Sequence, residues 1–187
     1  MITIFIALML MVGSDPVFAQ PANTSLQSTA VSIPGGKDGI GFDDLNFSKS
    51  LHKVLVPAGH TGKLFLIDPS SYAMTSIEGF SFSSEYKKGH DTGISSADEG
   101  EGFIFVADHG IHKLDAVNIK TGAIVATSPL ASDPDFVRYI EANHEVWVTE
   151  PDDKEKKQVE VFTFTAGDKP TLSHTLDISV VEMVLNL

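Results

Sequence analysis

HKVLVPAGHTGKLFLIDPSSYAMTSI, residues 52–77, and EGFIFVADHGIHKLDAVNIKTGAIVATS, residues 101–128, share one layout. Each has a β-branched and aromatic run, a His-bearing loop, a second apolar run, a turn and a third run. Such runs read as strands buried on both faces, the kind that fill stacked sheets. A third run, EVWVTEP from Glu145, follows the anchors KVLVPAG at Lys53 and FIFVAD at Phe103, at the ~40–50-residue spacing of propeller blades.

The neighbours of the three anchors recur as well. Before each lies a candidate inner strand, DDLNFS, GISSADE or FVRYIEA; after it come a third strand, KLFLIDP, KLDAVNI or QVEVFTF, and a fourth, AMTSIEGF, AIVATSP or LSHTLDI. The joins between third and fourth strands hold turn formers: Asp68-Pro69-Ser70-Ser71, Lys120-Thr121-Gly122 and Ala166-Gly167-Asp168-Lys169-Pro170. Four antiparallel strands per repeat make a blade. The sequence thus predicts an all-β fold, a β-propeller with blades at residues 42–80, 94–130 and 136–178. A β-sandwich accommodates the same strands, but not loops that recur in register. At strand spacing, Trp147, Phe103, Phe105, Phe162 and Phe164 predict inter-blade core.

Composition narrows the function classes. The chain has 187 residues, no cysteine, and 13 Lys plus Arg against 25 Asp plus Glu, for a net charge of −12. That field repels nucleic acid and anionic lipid. Lack of cysteine removes disulfides, thiolate metal sites and Cys nucleophiles together. An apolar run from Ile2 to Val12, then Gly13, Ser14, Pro16 and Val17-Phe18-Ala19, predicts a secretory signal at 1–19 that is too short to span a bilayer, although no basic residue precedes Lys37. Residues 20–30 read as a polar leader. A cysteine-free exported chain fits a bacterial periplasm or the outside of the cell.

The repeated segments, VLVPAGHTGKLFLIDPSSYAMTSI and FIFVADHGIHKLDAVNIKTGAIVATS, resemble the bacterial YVTN-type repeat propellers, relatives of the quinoprotein amine dehydrogenase β-chain-like superfamily, from about Val31 to Ile178. That superfamily mixes surface-layer repeats, binding scaffolds, lactonase-like enzymes and dehydrogenase subunits, so the resemblance implies fold more than activity. Its members are typically seven-bladed. Here three blades follow STAVSIPGG, whose residues 31–36 read as a closing strand, and residues 179–187 begin a further strand. The expectation is a partial product of a longer propeller, or copies that self-associate through open blade flanks.

Chemistry is expected on one rim. Loops joining second to third strands open on the same face as the segments joining one blade to the next. They carry His60, His90, Asp91, Asp108, His109 and Glu150, the expected ligand-binding set. His60, His90 and His109 are the expected ligands of a divalent metal, since imidazole with carboxylate suits Zn, Cu, Fe or Mn. Asp108-His109-Gly110 and Gly59-His60-Thr61-Gly62 read equally well as turns. His52, His112, His144 and His174 fall on or beside strands. No GxSxG occurs, and the pairs Asp43-Asp44, Asp98-Glu99 and Asp152-Asp153 place adjacent carboxylates on opposite strand faces. Three functions remain: an exported scaffold that binds a protein, peptide or small ligand on its loop face without catalysis; a metal-assisted lactonase-like hydrolase or dehydrogenase subunit; and a structural surface repeat.

Overall fold

The computed structural model describes residues 28–41, 43–87, 89–151 and 157–179. The expected signal at 1–19, most of the leader and residues 180–187 of the expected further strand lie outside them. The chain divides into two compact units, Met1–Ala30 and Val31–Leu187, and all the described strands belong to the second.

Three four-stranded antiparallel sheets make up that unit. The first holds β1 (Asn46–Ser48), β2 (Lys53–Pro57), β3 (Lys63–Ile67) and β4 (Met74–Glu78). The second holds β5 (Ile94–Gly100), β6 (Phe103–Asp108), β7 (Lys113–Asn118) and β8 (Ile124–Pro129). The third holds β9 (Val137–Ile140), β10 (Glu145–Glu150), β11 (Gln158–Thr165) and β12 (Thr171–Ser179). Within each sheet the strands lie side by side in chain order, as a blade requires. The three blades form an open arc. Among the described residues no helix is long and apolar enough to cross a membrane.

Turn chemistry explains why the first two blades match. Asp68 Oδ1 accepts the amides of Ser70 and Ser71 at 2.9 and 3.0 Å. Asn118 Oδ1 accepts those of Lys120 and Thr121 at 2.9 and 3.2 Å. Each turn ends on a left-handed residue, Tyr72 at φ 59° and Gly122 at φ 69°, whose amide returns to the Asp68 or Asn118 carbonyl at 2.8 Å in both cases. One hairpin has been written twice, fifty residues apart. Lys53 Nζ also pairs with Asp68 Oδ2 at 2.9 Å and, with the two amides, holds that carboxyl well below the usual range.

Alternation along the central strands builds the core in layers. Phe103, Phe105 and Ala107 of β6 pack with Val146, Val148, Phe162 and Phe164 of the third blade. Ile104 and Val106, on the other face of β6, pack with Leu55, Leu64 and Ile77 of the first. Trp147 corrects one expectation: it is half-buried and lies outside these clusters, its indole N–H donating to Glu145 Oε2 at 2.9 Å. Its neighbours Val146 and Val148 face the second blade, and a period of two turns Trp147 the other way.

Residues 31–36 form no strand. The Gly36 amide donates to the Ile33 carbonyl at 3.0 Å and Gly35 sits at φ 85°, while Pro34 has no amide to give a ladder. The segment turns instead, and Val31, Ile33 and Ile40 lie on the outward face of the first blade against Val56, Phe65 and Ile67. The flank expected to be open is thereby covered in part by the chain's own N-terminal side.

Separate sheets share no backbone ladder, so the inner strands are joined by side chains. Asp44, just before β1, accepts from Ser96 Oγ at 2.6 Å and from the two terminal guanidinium nitrogens of Arg138 at 2.7 and 3.2 Å. Ser96 Oγ also accepts the Val137 amide at 3.0 Å. Asp98 accepts Asn46 Nδ2 at 2.7 Å on one oxygen and the Tyr139 amide at 2.7 Å on the other. Burial raises the Asp98 carboxyl, and the Asp44 carboxylate raises Arg138.

Candidate functional site at the inter-blade rim

The end of each second strand sends one side chain across to a linker. Asp108, fully buried at the end of β6, accepts the Ser81 amide at 2.7 Å and the Ser81 hydroxyl. Glu150, fully buried at the end of β10, accepts the Ser132 amide at 3.0 Å and Gln158 Nε2 at 2.6 Å. In the first blade His60 takes this part: Nδ1 lies 3.0 Å from the Ser83 carbonyl and Nε2 2.9 Å from that of Gly39. These three clamp the inter-blade segments through their backbone amides and carbonyls. Of the expected ligand set, then, His60, Asp108 and Glu150 face scaffold partners, each ring nitrogen of His60 lying against a backbone carbonyl.

Backbone closeness brings the linkers to one place. Gly59 bridges to Ile94, and a Cβ on Gly93, at φ 77°, would fall 1.8 Å from the Gly59 carbonyl oxygen. Only glycine allows that approach. The Gly110 amide closes the contact on the Gly93 carbonyl at 3.1 Å.

What converges there is Asp43, His90 and Asp135, with ligand atoms all within 4.8 Å of one another. Each stands a few residues before an inner strand, β1, β5 and β9 respectively, so each blade supplies one. His109, in the 3-10 turn after β6, is buried at 8% exposure with a buried Nδ1 that has no hydrogen-bond partner among the described residues. Its ring stands edge-on to that of His90, centroids 6.1 Å apart. The structure therefore unites His90 and His109, leaves Asp91 exposed beside them, and adds two residues the sequence reading did not select. The signal for Asp43 and Asp135 was the shared slot just before each inner strand.

Three of the other histidines pair with carboxylates. His112 pairs with Asp133 and His144 with Glu101, each histidine in the left-handed region. His174 Nε2 lies 2.7 Å from Asp177 and 3.8 Å from Glu160, a second cluster, on β11 and β12. Burial, reinforced by the Glu150 charge, pushes the Glu160 carboxyl up to about 7 from 4.5. The folded state then holds this proton more tightly than the unfolded one, so the stability Glu160 contributes is full below about pH 4.5 and lost as pH rises through 7. Glu160→Gln should match wild type near pH 4 and unfold with about 1–2 kcal/mol more stability at pH 8, a figure discounted for solvent screening. Melting temperatures at pH 4, 6 and 8 check this, and parallel curves for the two proteins would count against it.

At the far end of the inner strands a cavity of about 490 Å³ is lined by Phe47, Asp98, Glu99, Glu101, Arg138 and Tyr139, among others. Burial, with the Glu101 carboxylate beside it, raises the Tyr139 hydroxyl well above the ordinary range.

No family model matches the chain, and no curated protein matches it in sequence. Solved structures do match in shape. A chain of the Kuenenia stuttgartiensis hydrazine synthase is similar over 87% of this chain and 40% of its own, with a TM-score of 0.58 at 9% identity. The β-propeller domain of Myceliophteria thermophila Cps50 (Swd1) matches over 74% of this chain and 38% of its own, at TM-score 0.50 and 10% identity. The C-terminal WD40 domain of Sif2 matches over 74% and 36%, at TM-score 0.51 and 13% identity. The chain spans about two fifths of the length of these structures, and at such identities the likeness is one of fold: three blades of a β-propeller.

Proposed function

We propose that the chain belongs to an exported propeller of the YVTN type that acts as a binding scaffold, taking its ligand on the loop face without catalysis of its own. The observation that carries this reading is the meeting of Asp43, His90 and Asp135, one from each blade, at the point where the inter-blade segments converge. Ionisable groups from three blades at one mouth serve recognition, and propellers offer that mouth for it. Export rests on the apolar run from Ile2 to Val12 and the small-residue stretch ending at Ala19.

A thermal-shift panel of divalent cations, small carboxylic acids, amines and short peptides tests the binding. At least one class should raise the melting temperature of wild type and fail to do so for His90→Ala. If no class does, the surface-repeat reading takes its place. Residues 1–30 fused to alkaline phosphatase, which is active only after export, test the other half, and an inactive fusion would remove export from the proposal.

A further inference from the structure

From the same rim, and resting on the binding reading just given, we infer that Asp43, His90 and Asp135 form a site for a first-row divalent metal ion, with His109 as its fourth donor. Two carboxylates and an imidazole offer ligand atoms within 4.8 Å of one another. Donors bound at roughly 2.0–2.2 Å around a tetrahedral ion lie about 3.4 Å apart, so these three need draw together only slightly, while His109, outside that 4.8 Å group, would join by turning its ring.

His109 supplies the independent observation. Its Nδ1 is buried without a hydrogen-bond partner among the described residues, in a residue only 8% exposed. A buried polar atom left without a partner is destabilising, and a metal bond would satisfy it. Imidazoles on one tetrahedral ion have ring centroids roughly 5 Å apart; His90 and His109 stand at 6.1 Å. The Asp135 backbone is held on both sides, its amide donating to the Thr149 carbonyl at 2.9 Å and its carbonyl accepting Ser95 Oγ at 3.1 Å, which sets where its carboxylate can reach.

Donor chemistry selects the ion. Calcium takes six to eight oxygens and magnesium keeps several waters, whereas an imidazole and carboxylate set suits Zn²⁺, Mn²⁺ or Fe²⁺, and availability then decides. The −12 net charge favours any cation. Because the donors come from three blades, metal binds the docked arc and not the unfolded chain, which couples occupancy to stability.

Calorimetric titration of the untagged chain with Zn²⁺ decides the matter. One ion per chain should bind, and the melting temperature should rise by on the order of 5–10 °C at a hundredfold excess over the dissociation constant. His90→Ala and Asp135→Asn should each weaken binding by more than tenfold, since even residues behind the ligands are worth about 10–100-fold. His109→Ala should weaken it too. Glu160→Gln and His174→Ala, from the cluster on β11 and β12, should bind as wild type does. If His90→Ala does not fold by circular dichroism, His90→Gln, which keeps a polar group of similar size, decides in its place. Equal affinity in the His90 variant, or loss of binding in His174→Ala, would overturn the assignment. If Zn²⁺ does not bind but another class from the panel does so through His90, the metal inference fails and the scaffold reading survives; if nothing binds, both fail.

Discussion

Phe105→Ala should lower the unfolding free energy by about 3–5 kcal/mol, a large part of the ~5–15 kcal/mol a domain commonly has. The Phe105 side chain is fully buried. Its ring stacks on Tyr139 with centroids 5.2 Å apart and meets Phe164 edge-on at 4.9 Å. It fills the joint between the second and third blades, where Val146, Val148 and Phe162 also pack. Removing it leaves a cavity that two rigid sheets cannot close over, and the aromatic contacts are lost in addition to the area. Urea unfolding followed by circular dichroism should show a lower midpoint at an unchanged slope. Phe47→Ala, at a site 47% exposed, is the control and should change little. A loss under about 1 kcal/mol for Phe105→Ala would mean that the second and third blades do not dock through this cluster.

The second large effect is expected at Arg138. Arg138→Met keeps much of the side-chain volume but removes both bonds to Asp44, which is 8% exposed. A buried carboxylate is then left with the Ser96 hydroxyl. Breaking a fully buried pair costs about 3–5 kcal/mol, and since the Arg138 side chain is itself 44% exposed the loss here should be nearer 2–4 kcal/mol. Asp44→Asn in the same background should restore part of it, because the uncompensated charge is gone. If the double variant is no more stable than Arg138→Met, the penalty has another source than the stranded carboxylate.

Sheet positions were legible because local chemistry repeats. Asp68 and Asn118 close equivalent turns with the same pair of side-chain bonds, and the continuous apolar run of β6 records burial on both faces. The site was legible only in part. His90 and His109 lie in loops that already face the rim. Asp43 and Asp135 share a slot just before an inner strand, but only the docking of blades brings them together. Asp43-Asp44 was set aside as a pair because neighbours on a strand diverge; the two lie just before β1, with Asp44 bonded to Arg138 and Asp43 at the rim. Asp108 read as a local turn former, yet its partner Ser81 is 27 residues away. The stretch Val31-Ser32-Ile33 alternates like a strand, and Pro34 and Gly35 turn it before a ladder can form.

The bond from Asp44 to Arg138 joins the first blade to the third. In a linear stack of repeats each unit is coupled only to its nearest neighbours, and such stacks fray from their ends one unit at a time. A direct tie between units one and three turns the line into a triangle. Neither end blade can then leave without breaking two couplings, so the arc gains from within part of the cooperativity that a complete ring obtains by closure.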